Sequence, residues 1–137
     1  MRVFLNKSFR RFARKEKISH AKLLEVVGDA SRGIIDADLG GGVLKQRIAR
    51  PGEGKSGGYR AIIFFRRHER TFFIYGYAKK DLDNITEEEQ SDFRKLAGHV
   101  LGLSDETLVK LLEKKDLFEI TKSKNGEQDD KQKKSPK

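Results

Sequence analysis

The residues with chemical potential in this sequence crowd into one stretch, Lys45 to Lys80, which reads KQRIARPGEGKSGGYRAIIFFRRHERTFFIYGYAKK. Ten of its side chains are Lys or Arg, and only Glu53 and Glu69 are acidic. All three tyrosines of the chain, Tyr59, Tyr75 and Tyr77, are interleaved with these cations. Guanidinium and ammonium groups neutralise phosphates, and a phenol can stack on a base, so the combination suits a polyanion, most simply nucleic acid. What the stretch can do depends on which of these groups share a surface.

The elements that must position them are strands. Val43 to Ala49 alternates so that Lys45 and Arg47 share one face while Leu44, Gln46 and Ile48 share the other. Tyr59 to Arg66 and Thr71 to Lys79 are rich in β-branched and aromatic residues and predict an antiparallel hairpin, with Arg67-His68-Glu69-Arg70 as its loop. That loop sets Arg66 opposite Thr71, Phe64 opposite Phe73, Ile62 opposite Tyr75 and Arg60 opposite Tyr77. Arg60, Tyr75, Tyr77 and Lys79 then occupy one face. Ala61, Ile63, Phe65, Phe72, Ile74 and Ala78 occupy the other and offer a floor for helices.

Between the first two strands, Ala49-Arg-Pro-Gly-Glu-Gly-Lys55-Ser56 satisfies a loose phosphate-loop pattern. Such a loop must run into a helix whose N-terminal amides meet the phosphates. Here Gly57-Gly58 leads into the strand-like YRAIIFF, so nucleotide hydrolysis is set aside and Lys55 reads as a mobile cation beside the sheet.

The rest of the chain supplies the scaffold. Arg2 to Leu5 predicts a short strand, and Asn6 or Ser8 caps a helix over Lys7 to Lys15 with Phe9, Phe12 and Ala13 inward. Ser19 caps a second helix through about Ser31, ended by Gly33. DADLGGG, from Asp36 to Gly42, reads as a turn-rich crossing. Thr86 and Glu89 form a capping box for a helix to about Leu101, Ser104 caps another over Asp105 to Lys114, and Phe118 and Ile120 suggest a last strand. Residues 121–137 contain no aromatic or aliphatic side chain and are expected to be a disordered charged tail after a domain spanning 1–120.

With 137 residues, 36% hydrophobic and 37% charged, the chain has material for one modest core. Its formal charge of +9 is uneven: residues 1–70 carry 17 basic and 7 acidic side chains, residues 71–137 carry 13 and 14. There is no cysteine and there are three scattered histidines, which leaves no disulfide framework and argues against a zinc site. A reducing cytoplasm is the expected location. No apolar run approaches the roughly 18 residues of a membrane span. The basic start MRVFLNKSFRRFARK resembles a targeting segment in charge, but its apolar run Val3-Phe4-Leu5 is too short for a signal core.

The order of one strand, two helices and a three-stranded run, with GKSGGYRAIIFF followed by FFIYGYAKKDLDNIT, resembles the RelE/ParE superfamily of bacterial toxins. Within it the chain is most similar to a HigB-like RelE branch through DLGGG, ARPG with KSGGYR, and YGYAK. The resemblance covers about residues 1–120. It implies an α+β fold in which helices pack on a twisted, mainly antiparallel sheet of about four strands.

It also implies a ribosome-dependent endoribonuclease that cuts messenger RNA and is held silent by a cognate antitoxin. Ribosome, mRNA and antitoxin are then the partners, with no membrane, metal or cofactor. In that chemistry the 2′-hydroxyl attacks the adjacent phosphate, and cations stabilise the charge of the transition state. Arg60 matches the arginine of the family's Gly-Tyr-Arg motif, which would contact the scissile phosphate. Lys79 or Lys80 matches the basic position at the end of the last strand, and Lys45, Arg47 and Lys55 match the cations of the preceding strand and loop. Tyr77 is the preferred phenol for proton transfer, with Tyr75 or Tyr59 in reserve, Tyr59 also as a stacking platform. The chain departs from relatives that place a tyrosine beyond the last strand, since DLDNIT follows Lys80, and from those with an acidic, histidine-rich C-terminus. The alternatives are a ParE-like inhibitor of DNA gyrase and a nucleic-acid-binding module without catalysis.

Overall fold

The computed structural model describes residues 1–50, 54–79 and 85–121, the side chains of 50 and 54–57 apart. The anticipated helix caps all form. Asn6 Oδ1 accepts from Phe9 N at 2.7 Å to start α1 (Lys7–Lys15), and Ser19 Oγ accepts from Lys22 N at 3.0 Å to start α2 (His20–Ser31). Thr86 and Glu89 close a reciprocal capping box at 3.1 and 2.9 Å on α3 (Glu87–Leu101). Ser104 Oγ accepts from Thr107 N at 3.1 Å on α4 (Asp105–Glu113). Each cap satisfies an amide that would otherwise lack an intrahelical partner.

The strands are β1 (Arg2–Asn6), β2 (Ala37–Gly40), β3 (Val43–Arg50), β4 (Gly54–Arg66), β5 (Arg70–Ala78) and β6 (Leu117–Ile120). They form one six-stranded sheet in the order β2-β3-β4-β5-β1-β6, antiparallel except for the parallel β1–β5 pair. The two strands beyond the expected four are short edges. β2 arises within DADLGGG, where Gly40, Gly41 and Gly42 take φ of 92°, 61° and 88° and reverse the chain onto β3. β6 is the short last strand that Phe118 and Ile120 suggest; it pairs with β1 from Asn6–Leu117 to Val3–Ile120.

Both faces of the sheet are covered. Helices α1 and α2 lie over Val3, Leu5, Leu44, Ile48, Ala61, Ile63 and Phe73, as expected for a helical layer. On the other face, Phe4, Val43, Ile62, Phe64 and Phe72 pack under Ala97, Leu101 and Leu108 of α3 and α4. A small α+β domain reaches a two-sided core this way: each sheet face buries its own apolar set.

The hairpin register differs from the expectation at one end and agrees at the other. Its loop has three residues, Arg67 to Glu69, with His68 at φ 69°, and Arg66 pairs with Arg70 rather than Thr71. Phe64 therefore faces Phe72, and Phe72 lies on the α3 side, not on the α1/α2 floor. A bulge between the Ile63–Phe73 and Ile62–Tyr75 pairs then absorbs one residue, Ile74, which also packs on the α3 side. Beyond it Ile62 faces Tyr75 and Arg60 faces Tyr77, the register expected from sequence. A short loop and a bulge cancel, because each shifts the pairing by one residue in opposite senses.

The expected polar turn after Lys80 and the expected tail lie outside the described residues. Among the described residues no helix is long and apolar enough to cross a membrane.

Candidate nucleic-acid interface

Strand register builds the site in two rows. Arg47 of β3, Arg60 of β4 and Tyr77 of β5 are successive cross-strand partners, and beside them run Lys45, Ile62 and Tyr75. Directly opposed residues point to the same side of a sheet, so four of the residues singled out in sequence, Lys45, Arg47, Arg60 and Tyr77, share the α3 face. Lys79 follows just past the end of β5, is exposed, and donates its amide to Gly58 O at 3.3 Å.

The cations converge on a carboxylate. Asp36 Oδ1 accepts from Arg47 Nε at 2.9 Å, and Asp36 Oδ2 lies 3.7 Å from Arg60 Nε and 3.9 Å from Lys45 Nζ. Asp36 is itself fixed from the backbone side. Its amide donates to Gln46 Oε1 at 2.9 Å, and Gln46 Nε2 donates to Ile34 O at 2.9 Å. Gln46 is a buried polar residue on β3, and it spends its amide on pinning the Ile34–Asp36 segment to the sheet.

Exposure divides these groups. The Arg60 side chain is 6% exposed and that of Arg47 is 49%, so Arg47 meets solvent while Arg60 lies beneath. Arg60 Nη1 also donates to Tyr59 O at 3.1 Å. The Tyr77 hydroxyl is buried and has no hydrogen-bond partner among the described residues. Burial pushes the Tyr77 phenol above its ordinary pKa; nearby Arg60 pulls the other way, and Asp36 and Tyr75 add to the rise. The phenol is therefore held neutral and protonated at physiological pH. Tyr75 is 38% exposed, its ring 5.6 Å from that of Tyr77 and 6.4 Å from that of Phe93 on α3.

Tyr59 is separated from the group. Its ring is buried on the α1/α2 face, edge-on to Phe12 at 5.5 Å, and its hydroxyl donates to Glu16 Oε1 at 2.8 Å. Alternation along β4 decides this, since Tyr59 and Arg60 must point to opposite sides. The Lys55 side chain and Lys80 lie outside the described residues. Sequence reasoning missed Asp36 and Gln46. Asp36 sat in a stretch read as a turn, and the signal that could have found it is the Lys45/Arg47 alternation on the next strand, which invites a carboxylate on its edge.

The accessible chemistry of this face is that of a cationic row over a protonated phenol, with one carboxylate poised where an incoming anion would sit. A phosphate can replace Asp36 as the partner of Arg47 and Lys45, because guanidinium and ammonium donors accept either oxyanion. Among the described residues no group of three or more His, Asp or Glu side chains converges as a metal site. No curated protein matches the chain. Over residues 1–120, however, it matches the family model described as the RelE toxin of the RelE/RelB toxin–antitoxin system, and with nearly the whole described fold inside that match, the chain belongs to the RelE toxin family.

Proposed function

We propose that this chain is a HigB-like toxin that cleaves messenger RNA on the ribosome by metal-independent attack of a 2′-hydroxyl on its neighbouring phosphate. Family membership suggests an mRNA interferase and implies a RelB-type antitoxin as partner. The observation that carries the finer reading is the shared face of Lys45, Arg47, Arg60 and Tyr77, with all three cations drawn to one carboxylate. In this reading the scissile phosphate displaces Asp36, Arg47 and Lys45 hold it, and Lys79 adds an exposed cation; Lys55 and Lys80 are carried as RNA contacts on the family resemblance alone. Arg60 supplies charge from below and reaches the phosphate once Asp36 withdraws. The phenol of Tyr77, held protonated, gives its proton to the leaving 5′-oxygen as the attacking 2′-hydroxyl loses its own to water. Burial makes that phenol a weaker acid, so stabilisation of the pentacoordinate phosphate by the cations carries the larger share of the rate.

The test is primer extension on messenger RNA in a translation extract, with and without ribosomes, comparing wild type with Arg47→Gln, Arg60→Ala and Tyr77→Phe. Discrete ribosome-dependent cuts that vanish with Arg60→Ala and weaken strongly with Arg47→Gln support the reading. Intact message with translation unaffected overturns it, and inhibition of gyrase supercoiling by the same protein would replace it with the ParE-like alternative.

The burial of Arg60 favours one second reading, an RNA-binding module without cleavage, in which Arg60 only stiffens the face. That reading expects RNA binding with no cut at all.

A further inference from the structure

The segment that carries Asp36 to the cations also builds a pocket beyond them. Gly33, at φ 82°, turns the chain off the end of α2, and Ile34 N donates to Asp29 O at 2.8 Å. Gln46 then holds both Ile34 O and Asp36 N, so the Ile34–Asp36 segment is fixed at its two ends. β2 begins at Ala37, opposite Lys45, which leaves β3 at the margin of the sheet where Arg47 stands. There Asp29, Ile34, Ile35, Asp36, Gln46 and Arg47 line a concavity of about 290 Å³.

The lining combines an apolar wall with an oriented acceptor. Ile34 and Ile35 are 54% and 36% exposed, the one pair of sequence neighbours among the exposed large apolar side chains of the described residues. Left in water, they forgo the burial that Leu23, Val26, Val27 and Ala30 of α2 obtain. Asp29, in the last turn of α2, has a side chain only 18% exposed, and its Oδ1 accepts from Arg32 Nη2 at 2.6 Å. A carboxylate paired with a guanidinium accepts hydrogen bonds and donates none.

We infer that this pocket reads one base of the RNA strand held at the candidate site, and that the base it selects is guanine. The inference rests on the RNA-directed reading above, in which Arg47 holds a phosphate; the same Arg47 closes the pocket on its inner side, so a base next to that phosphate enters without leaving the cation row. The flat face of the base covers Ile34 and Ile35, and its Watson–Crick edge meets Asp29. Guanine presents N1–H and its exocyclic amine side by side, two donors for the two oxygens of one carboxylate. Adenine and cytosine set an acceptor beside their single amine, and uracil flanks its one N–H with two acceptors, so each turns a lone pair towards Asp29. Gln46 cannot exchange this preference for another, because both ends of its amide are spent on the backbone.

The experiment measures fluorescence anisotropy of labelled single-stranded pentamers of uridine whose central base is guanine, inosine, adenine or uracil. All are fully 2′-O-methylated, so they lack the attacking hydroxyl and their binding is independent of cleavage. Wild type should bind the guanine pentamer roughly tenfold more tightly than the all-uridine one, and inosine, which lacks the exocyclic amine, should lose most of that advantage. Asp29→Asn should bring the guanine and uridine pentamers to within about twofold of each other. Arg32→Gln leaves the carboxylate in place and should keep the preference. Equal affinity for all four pentamers in wild type overturns the inference, as does a guanine preference that survives Asp29→Asn. Loss of the preference in Arg32→Gln as well assigns it to the end of α2 and overturns it too. If Asp29→Asn does not fold, the inosine comparison on wild type decides. A guanine preference with no cut in the primer-extension assay sinks the cleavage reading alone, whereas ribosome-dependent cuts with no base preference among the pentamers sink the pocket alone.

Discussion

Arg47 Nε donates to Asp36 Oδ1 at 2.9 Å, and through that carboxylate an exposed guanidinium on β3 is joined to the buried guanidinium of Arg60 on β4. The carboxylate does two opposed things. It compensates a buried positive charge, and it occupies donors that an RNA phosphate would use. Replacing it separates the two effects.

Asp36→Asn should lower stability by about 1–3 kcal/mol, since the carboxylate beside the buried Arg60 guanidinium loses its charge in a poorly solvated position. The same change should tighten binding of single-stranded RNA, because an anion no longer has to be displaced. Urea denaturation and RNA anisotropy on one preparation read both. A variant that is less stable and also binds RNA more weakly would show that Asp36 organises the cations rather than competing for them.

Arg47→Gln bears on the exposed half of the pair. With its side chain half in solvent, stability should change by less than about 0.5 kcal/mol. RNA affinity should fall with a salt slope smaller by about 1, as expected for one lost phosphate contact. Thermal melting together with a salt titration checks this.

Tyr77→Phe removes a buried hydroxyl that has no partner among the described residues. Stability should hold or rise by about 1 kcal/mol, because an unsatisfied polar group leaves the interior. Cleavage should nonetheless fall sharply. Stability retained with activity lost marks the phenol as a proton donor; both retained would remove it from the mechanism.

The pH dependence of stability follows from the same group. Burial raises the folded-state pKa of Tyr77 above its ordinary 10.0, so the folded protein holds that proton more tightly than the unfolded chain does. Its contribution is fully present below the unfolded pKa, and it is lost as pH climbs from there through the folded value. Urea midpoints should therefore decline above about pH 10 in wild type and decline less in Tyr77→Phe.

Gly76→Ala tests how closely α1 approaches β5. A Cβ at Gly76 would run into the ring of Phe12 and come within 3.0 Å of Phe9 Cε2, both in the α1 packing layer. The overpacking should cost about 1–3 kcal/mol, measured by denaturation, and should reduce activity only in proportion to the unfolded fraction.

Much of this architecture was legible from residue order. The helices start where Asn6, Ser19, Thr86 and Ser104 announce them, because a cap is a local hydrogen bond between neighbours in sequence. The strands followed from alternation and the family likeness from the GYR and YGYAK wording, whereas the pairing of Arg60 with Tyr77 agrees with the expected register because a shorter loop and a bulge cancel.

What the chain order could not decide was everything that depends on two distant segments meeting. The three-residue loop pairs Phe64 with Phe72 on the α3 face and the bulge at Ile74 restores the register of Arg60 with Tyr77, two shifts that can be seen only once the assembled hairpin is in place. Tyr59 stood in reserve behind Tyr77 as a phenol until pleating sent it towards Glu16 and Tyr77 beneath α3. Asp36 read as part of a turn, yet its amide reaches Gln46 and its carboxylate reaches two neighbouring strands. Local propensity determined the elements of this protein, whereas the exposure of Arg47, the burial of Arg60 and the carboxylate between them were decided by tertiary packing, because desolvation and ion pairing are properties of assembled surfaces.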